Sequence, residues 1–280
     1  MADASSLVHL LDTVEATAYT DIFTAVPSGL KASLGMDVFE IAGATLLSAA
    51  AIPSPMFNRV IGLGNTHPVS EKVLDDVCEY YGRAGIQNWW IHVSPGSKPP
   101  DLADHLVARG FSLPQRKSWV KMLRGAEPPA PVTTALEVRV IEPGEATACA
   151  EVICSAFEMP VAWSPLFSQA ADRAGWQIVG AFDHGSIVGG GMLFIEGDTA
   201  WLGSGGVLPE SRGHHAHRAL MTLRIELAIQ AGCRHIITET GEPVGDESNP
   251  SLRNMEACGF SKLFSRQNYA APAPSEKGTG

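Results

Sequence analysis

The sequence predicts an α/β protein built from two copies of one fold. Its 280 residues are enough for two domains of ordinary size. Strand-like and helix-like segments alternate along both halves. A set of landmarks also recurs in the same order. Ala84-Gly85 precedes a strand at Trp89-Trp-Ile-His-Val93, and Ala231-Gly232, 147 positions later, precedes one at His235-Ile-Ile-Thr-Glu239. Gly110-Phe111-Ser112 returns as Gly259-Phe260-Ser261, 149 positions later. Common dipeptides alone do not keep such an order, so we read an internal repeat.

The elements follow in turn. Ser6 to Phe23 carries Leu7, Leu10, Leu11, Val14 and Ala18 at helical spacing, behind a Ser5 or Ser6 cap. Ala32 to Glu40 and Ala42 to Ala51 read as strands that turn near Gly35 and Gly43. Phe57 to Gly64 reads as a strand ending in glycine. Ser70 to Arg83 is a helix with Val73, Leu74, Val77 and Tyr81 as its apolar stripe. Asn88–Val93, Leu102–Arg109 and Lys117–Leu123 read as strand, helix and closing strand. These elements make a first domain over 1–125, followed by a proline-rich, extended linker over 126–135.

The pattern then restarts in a second domain over 136–270. Glu137–Ile141 is a strand, and Gly144–Phe157 and Trp163–Ala174 are helices. Trp176–Phe182, Ile187–Glu196 and Thr199–Val207 are strands, Ala219–Ala231 a helix and Arg234–Thr240 a strand. Pro250–Cys258 is a short helix and Phe260–Tyr269 the last strand. Residues 271–280 read as a disordered tail.

Composition narrows the function. A content of 45% hydrophobic and 18% charged residues is that of a globular chain. A net charge of −10 argues against nucleic acid, whose phosphates need a basic footprint, and favours neutral or cationic small molecules. The five cysteines show no Cys-x-x-Cys spacing and read as reduced, mostly buried thiols, with no metal site. The start of the chain lacks a basic segment followed by an apolar core. The longest apolar run, Ile41 to Pro53, is too short to span a bilayer. The expectation is a cytoplasmic protein without a membrane partner; a homodimer stays open.

The stretch from Val207 to Leu220 carries the chemistry. A strand that loosens into glycine, a short turn and a helix start aim several unpaired backbone N–H groups at one point. The helix dipole adds partial positive charge there, which suits a phosphate or pyrophosphate. His214, His215 and His217 are poorly spaced as metal ligands, because these positions at a helix start do not converge. Gly203-Ser-Gly-Gly206 does not have the Gly-x-Gly-x-x-Gly spacing of a dinucleotide-binding turn.

The segment Val207-x-Pro209-Glu210-x-Arg212-Gly213 resembles the acyl-CoA-binding turn of the GNAT N-acyltransferase superfamily, whose pattern is Arg/Gln-x-x-Gly-x-Gly/Ala. Arg212 matches, while His215 and His217 stand at the two small positions. Downstream, Ile236-Ile-Thr-Glu-Thr240, Asn249-Pro-Ser-Leu-Arg-Asn254 and Gly259-Phe260 follow the family's order. The resemblance covers residues 136–270, and the first half resembles a degenerate copy. There Asn65-Thr-His-Pro-Val-Ser70 has no Arg-Gly turn, so no CoA is expected in that half.

The resemblance implies two GNAT-like domains, each with a mixed, largely antiparallel sheet flanked by helices. It implies acetyl-CoA as co-substrate and a small-molecule amine as acceptor, by direct attack on the thioester. Val207, Arg212, Gly213, His214, His215, Ala216 and His217 would hold the CoA, joined by Asn249 and Asn254. Ser204 would bind the acyl carbonyl or the pantetheine. Glu239 and Glu242, at the end of the strand opposite, are candidate bases. The family's thiolate-protonating Tyr is replaced by Met255, which leaves Tyr269 as a candidate acid; Cys258, though nearby, reads as a buried helix cysteine. The alternative is a non-catalytic CoA- or metabolite-binding or sensor protein with a degenerate turn.

Overall fold

Local signals account for most of the elements. The computed structural model describes residues 4–273, so most of the predicted tail, from 274 onward, lies outside the described residues. The chain runs α1 (Ala4–Ala25), α2 (Ser28–Leu34), β1 (Met36–Ile41), β2 (Ala44–Ala49), β3 (Arg59–Ile61), α3 (Glu71–Arg83), β4 (Trp90–Val93), α4 (Leu102–Ala108) and β5 (Ser118–Arg124). It continues with β6 (Glu137–Val140), α5 (Ala146–Ala156), α6 (Pro165–Ser168), β7 (Trp176–Asp183), β8 (Ser186–Glu196), β9 (Thr199–Val207), α7 (Ala216–Gln230), β10 (His235–Gly241), α8 (Pro250–Ala257) and β11 (Ser261–Ala270). Ser70 caps α3 by accepting the Val73 N–H at 3.3 Å, and Asn249 caps α8 by accepting the Leu252 N–H at 2.9 Å.

Three segments differ from the sequence reading. The strand expected from Ala32 gives way to α2, which begins after Pro27 and is closed by Gly35 in the left-handed conformation. The strand expected over Phe57–Gly64 shrinks to three residues. Asn58 spends its side chain on the Ala49 N–H and on the carbonyls of Ile52 and Ser54, and Gly62 turns the chain away. The helix expected over Trp163–Ala174 breaks into α6 between two 3-10 turns, because Pro165 is tolerated only in a first turn.

The chain forms two compact units. The described residues up to Trp119 pack with those from Ser265 onward, and Val120–Phe264 form the second unit. Strands β5 and β11 therefore each contribute residues to both. In the first unit the strands run β1-β2-β3-β4-β11, with β3 and β4 parallel around the α3 crossover and the other pairs antiparallel. In the second the order is β5-β10-β9-β8-β7-β6. There β9 and β10 are parallel around α7, and β6 to β9 are antiparallel. Each unit is thus a mixed, largely antiparallel sheet with helices against it. Among the described residues no helix is long and apolar enough to cross a membrane.

The first unit is tied together by buried charge. Arg266 of β11 donates from Nη1 to Asp12 at 3.0 Å and to Glu15 at 2.6 Å, both on α1. Arg59 of β3 meets Glu15 at 3.1 Å. Asp12 also accepts from Asn65 and Ser94. All four charged side chains are at most 2% exposed. Two cations and two carboxylates balance, so the desolvation cost is offset only while every member is present. Leu46, Val60, Leu74, Tyr81, Trp89, Ile91 and Leu106 belong to the unit's apolar core.

Removing one member leaves the buried charges of the network out of balance. Arg266→Ala is expected to destabilise the first unit by about 3–5 kcal/mol, read by urea unfolding. A loss under about 1 kcal/mol, the range of an exposed ion pair, would contradict this account.

Candidate functional site

The site grows from the way β9 leaves its neighbours. On one side, β9 pairs with β10 from Thr199↔His235 only as far as Leu202↔Thr238. Both strands continue beyond that point, β9 to Val207 and β10 to Gly241, so the parallel pair opens toward its carboxyl ends. On the other side the β8 register slips between Gly190↔Gly206 and Met192↔Gly203, which leaves two β9 residues opposite one of β8. This is a β-bulge, and within it Ser204 takes a left-handed φ of 49°.

The glycines here answer to packing. A Cβ on Gly203 would lie 1.8 Å from the ring of Trp201, itself 2% exposed, and one on Gly206 would meet the Cβ of Ala156 at 2.7 Å. On β8, a Cβ on Gly190 would strike Cys149 of α5, and one on Gly191 would strike Arg224 of α7. Helices α5 and α7 thus press on opposite faces of the two strands at this point.

Past Val207 the chain makes a 3-10 turn at Pro209–Ser211, and Gly213 and His215 adopt φ of 88° and 60° before α7 begins. His215 therefore holds the backbone shape of a glycine, with its exposed side chain turned to solvent. Thr134 fastens the turn by donating to the His214 carbonyl at 2.8 Å. Arg212 is exposed and donates from Nε to the Val207 carbonyl at 3.4 Å. The N–H groups of Gly213, His214, His215, Ala216 and His217 meet no acceptor among the described residues. They surround a helix N-terminus, an arrangement made for an anion.

His217 behaves differently from His215. Its ring is partly buried and its Nδ1 accepts from Asn254 Nδ2 at 3.3 Å. Burial, and then the nearby Arg224 guanidinium, push its pKa down to about 4, so the ring is neutral at physiological pH.

The remaining candidates occupy varied settings. Glu239 is the first β10 residue beyond the last pair with β9, and it faces Lys121 Nζ at 2.7 Å in an ion pair 9% and 2% exposed. Glu242 lies past β10 and meets Lys262 at 3.4 Å in a more exposed position. Asn249 is consumed as a cap, since its Nδ2 also donates to the Gly241 carbonyl at 2.8 Å. Met255 and Cys258 are buried in the apolar core with Met221 and Ile225, and burial raises the Cys258 thiol above its ordinary range. Tyr269 pairs with Ile91 on β4 and packs into the first unit's core, where burial raises its hydroxyl pKa. The turn, the bulge and Glu239 thus share the second unit, and Tyr269 belongs to the first. Among the described residues no group of three or more His, Cys, Asp or Glu could hold a metal ion.

Sequence reading did not single out Arg224 or Lys121. Arg224 interrupts the apolar stripe of α7 between Leu220 and Leu227, and Lys121 stands inside the apolar strand β5. A cation in such a place was the available signal. In the first unit the corresponding turn is filled by its own chain: the Lys98 N–H donates to the Gly64 carbonyl and the Val69 N–H to the Lys98 carbonyl.

Two substitutions test the turn. His215→Gly relieves a left-handed residue that bears a Cβ, and should stabilise the protein by about 1 kcal/mol in urea unfolding. For His217, the unfolded chain takes up a proton near the ordinary 6.5 and the folded one only near 4. Its contribution to stability is whole above the higher value and is lost as the pH falls between the two. His217→Leu should flatten the pH dependence in that window, the wild type losing about 2 kcal/mol more than the variant.

Comparison with known proteins agrees with this geometry. Residues 147–260 match the model of the acetyltransferase (GNAT) family. No curated protein sequence matches the chain. Among solved structures, a GCN5-related N-acetyltransferase from Kribbella flavida superposes with a TM-score of 0.62 at 14% identity, over 85% of this chain and 90% of its own. One from Sphaerobacter thermophilus gives 0.58 at 15% identity, over 81% and 80%. A tandem GNAT protein from the clavulanic acid biosynthesis pathway, solved without AcCoA, gives 0.58 at 16% identity, over 83% and 80%. Residues 147–260 are therefore a GNAT-family domain, and the chain as a whole has the fold of GNAT N-acetyltransferases.

Proposed function

We propose that the protein is an N-acyltransferase that moves an acyl group, acetyl by default, from CoA to the amine of a small molecule. The observation that carries this reading is the backbone at His215. It keeps the left-handed geometry of a glycine turn despite its Cβ, and the free amides around it stay presented. The pyrophosphate of acetyl-CoA is assigned to the N–H groups of Gly213–His217, with Arg212 supplying charge. The pantetheine enters the gap where β9 and β10 part, which brings the thioester to the bulge at Ser204. The amine nitrogen attacks the carbonyl carbon, and the oxyanion is held by N–H groups of the bulged strand. The C–S bond then breaks, and the thiolate takes up the proton that the amine releases. Glu239, which pairs with Lys121, or Glu242 accepts that proton in transit, directly or through water. On this reading the protein acts on small molecules in the cytoplasm.

A second reading is a CoA-binding protein without transfer activity. It draws on Met255 in place of the family's Tyr, and on the ion pair that engages Glu239.

Calorimetric titration with acetyl-CoA tests both readings. The wild type is expected to bind, and Arg212→Ala to bind about tenfold more weakly, the worth of one exposed charge-assisted contact. Absence of binding to the wild type at millimolar ligand would overturn either reading. Release of free CoA thiol in the presence of a panel of primary amines separates them, since only the transferase gives it.

A further inference from the structure

Arg224 takes no part in the scheme above, yet its surroundings are those of a working group. It is 2% exposed and sits in the third turn of α7. Its Nε donates to the Leu220 carbonyl at 3.0 Å, and its Nη1 to the carbonyls of Met192 and Gly203, each at 3.1 Å. Met192 and Gly203 are the pair at one edge of the bulge, where the β8–β9 ladder changes register. The guanidinium thus bonds both carbonyls of the pair that borders the bulge.

Its Nη2 makes no hydrogen bond among the described residues, and lies 2.9 Å from where a Gly205 Cβ would stand. Arg224 has no carboxylate partner among the described residues either. A buried cation bonded only to carbonyls is costly to keep, and burial pushes its pKa down to about 10. Replacing it by an apolar side chain would serve packing at least as well. Gly191 and Gly205 are both bare on the side that faces it, as its bulk demands.

We infer that Arg224 is a positioning residue for acyl transfer. Its fork fixes the bulge of β9 so that the Ser204–Gly205 backbone meets the thioester carbonyl. Its uncompensated charge beneath Gly205 favours the electron-rich oxygen there. The inference rests on the acyl-transfer reading.

The test is the carbonyl stretch of [1-13C]acetyl-CoA in infrared difference spectra of the full-length protein. In the wild type the bound carbonyl is expected to move to lower frequency than in solution. Arg224→Met keeps the volume and removes the donors and the charge; it should bind CoA as the wild type does but lose half or more of that shift. Arg224→Lys keeps the charge without the fork and should fall between them. If Arg224→Met does not fold, Gly205→Ala decides, because its methyl displaces the fork and leaves the charge in the molecule. Loss of the shift in Gly205→Ala supports the inference. A full shift in either folded variant overturns it and leaves the acyl-transfer reading standing. A wild type that binds no acetyl-CoA overturns both.

Discussion

The parting of β9 from β10 after Leu202 is the constraint on which the chemistry proposed for the second unit depends. Two parallel strands joined by a helix form a ladder wherever they can. Here the ladder stops after Leu202 and Thr238, and several features work against its extension. The bulge turns the β9 backbone out of register with β8, and Ser204 enters the left-handed region. Trp201 and Arg224 fill the space that side chains at 203 and 205 would need, so packing adds to the pairing with β8 in holding the strand. Glu239, at the mouth of the opening, is anchored by Lys121. The two strands therefore run on unpaired with each other beyond these residues.

The turn beyond this strand tolerates strain for the same end. A histidine at a φ of 60° costs on the order of 1 kcal/mol relative to glycine, and it persists because α7 begins directly behind it. The two histidines that interrupt the family pattern prove unlike. His215 is turned to water and leaves the backbone as glycine would. His217 is folded inward against Asn254 and held neutral, so it offers a hydrogen bond rather than a charge. The degeneracy of the motif therefore falls on side chains, whereas the groups proposed to hold the pyrophosphate are main-chain amides.

The first unit repeats the layout without the opening. Strand β3 is only three residues long, and the segment around Lys98 bonds back over the turn that follows it. It also holds a buried network of Asp12, Glu15, Arg59 and Arg266. One fold thus serves as a scaffold stabilised by internal charge and as a frame for an open backbone.

By itself the sequence determined the alternation of strands and helices, the repeat, and the turn at Arg212-Gly213. All of these are written in local periodicity, capping residues and glycine, which act within a few positions of one another. It did not reveal the α2 helix, because a seven-residue helix between Pro27 and Gly35 leaves too short a periodic signal. The tertiary structure alone decided that β5 and β11 each supply residues to both units, and that Tyr269 belongs to the first unit's core. It alone brought Lys121 to Glu239 across 118 positions, and seated Arg224 against the glycines of β8 and β9. The physical reason is that charge and burial depend on which distant surfaces meet. Strand pairing and helix docking set those meetings, and no local pattern encodes them.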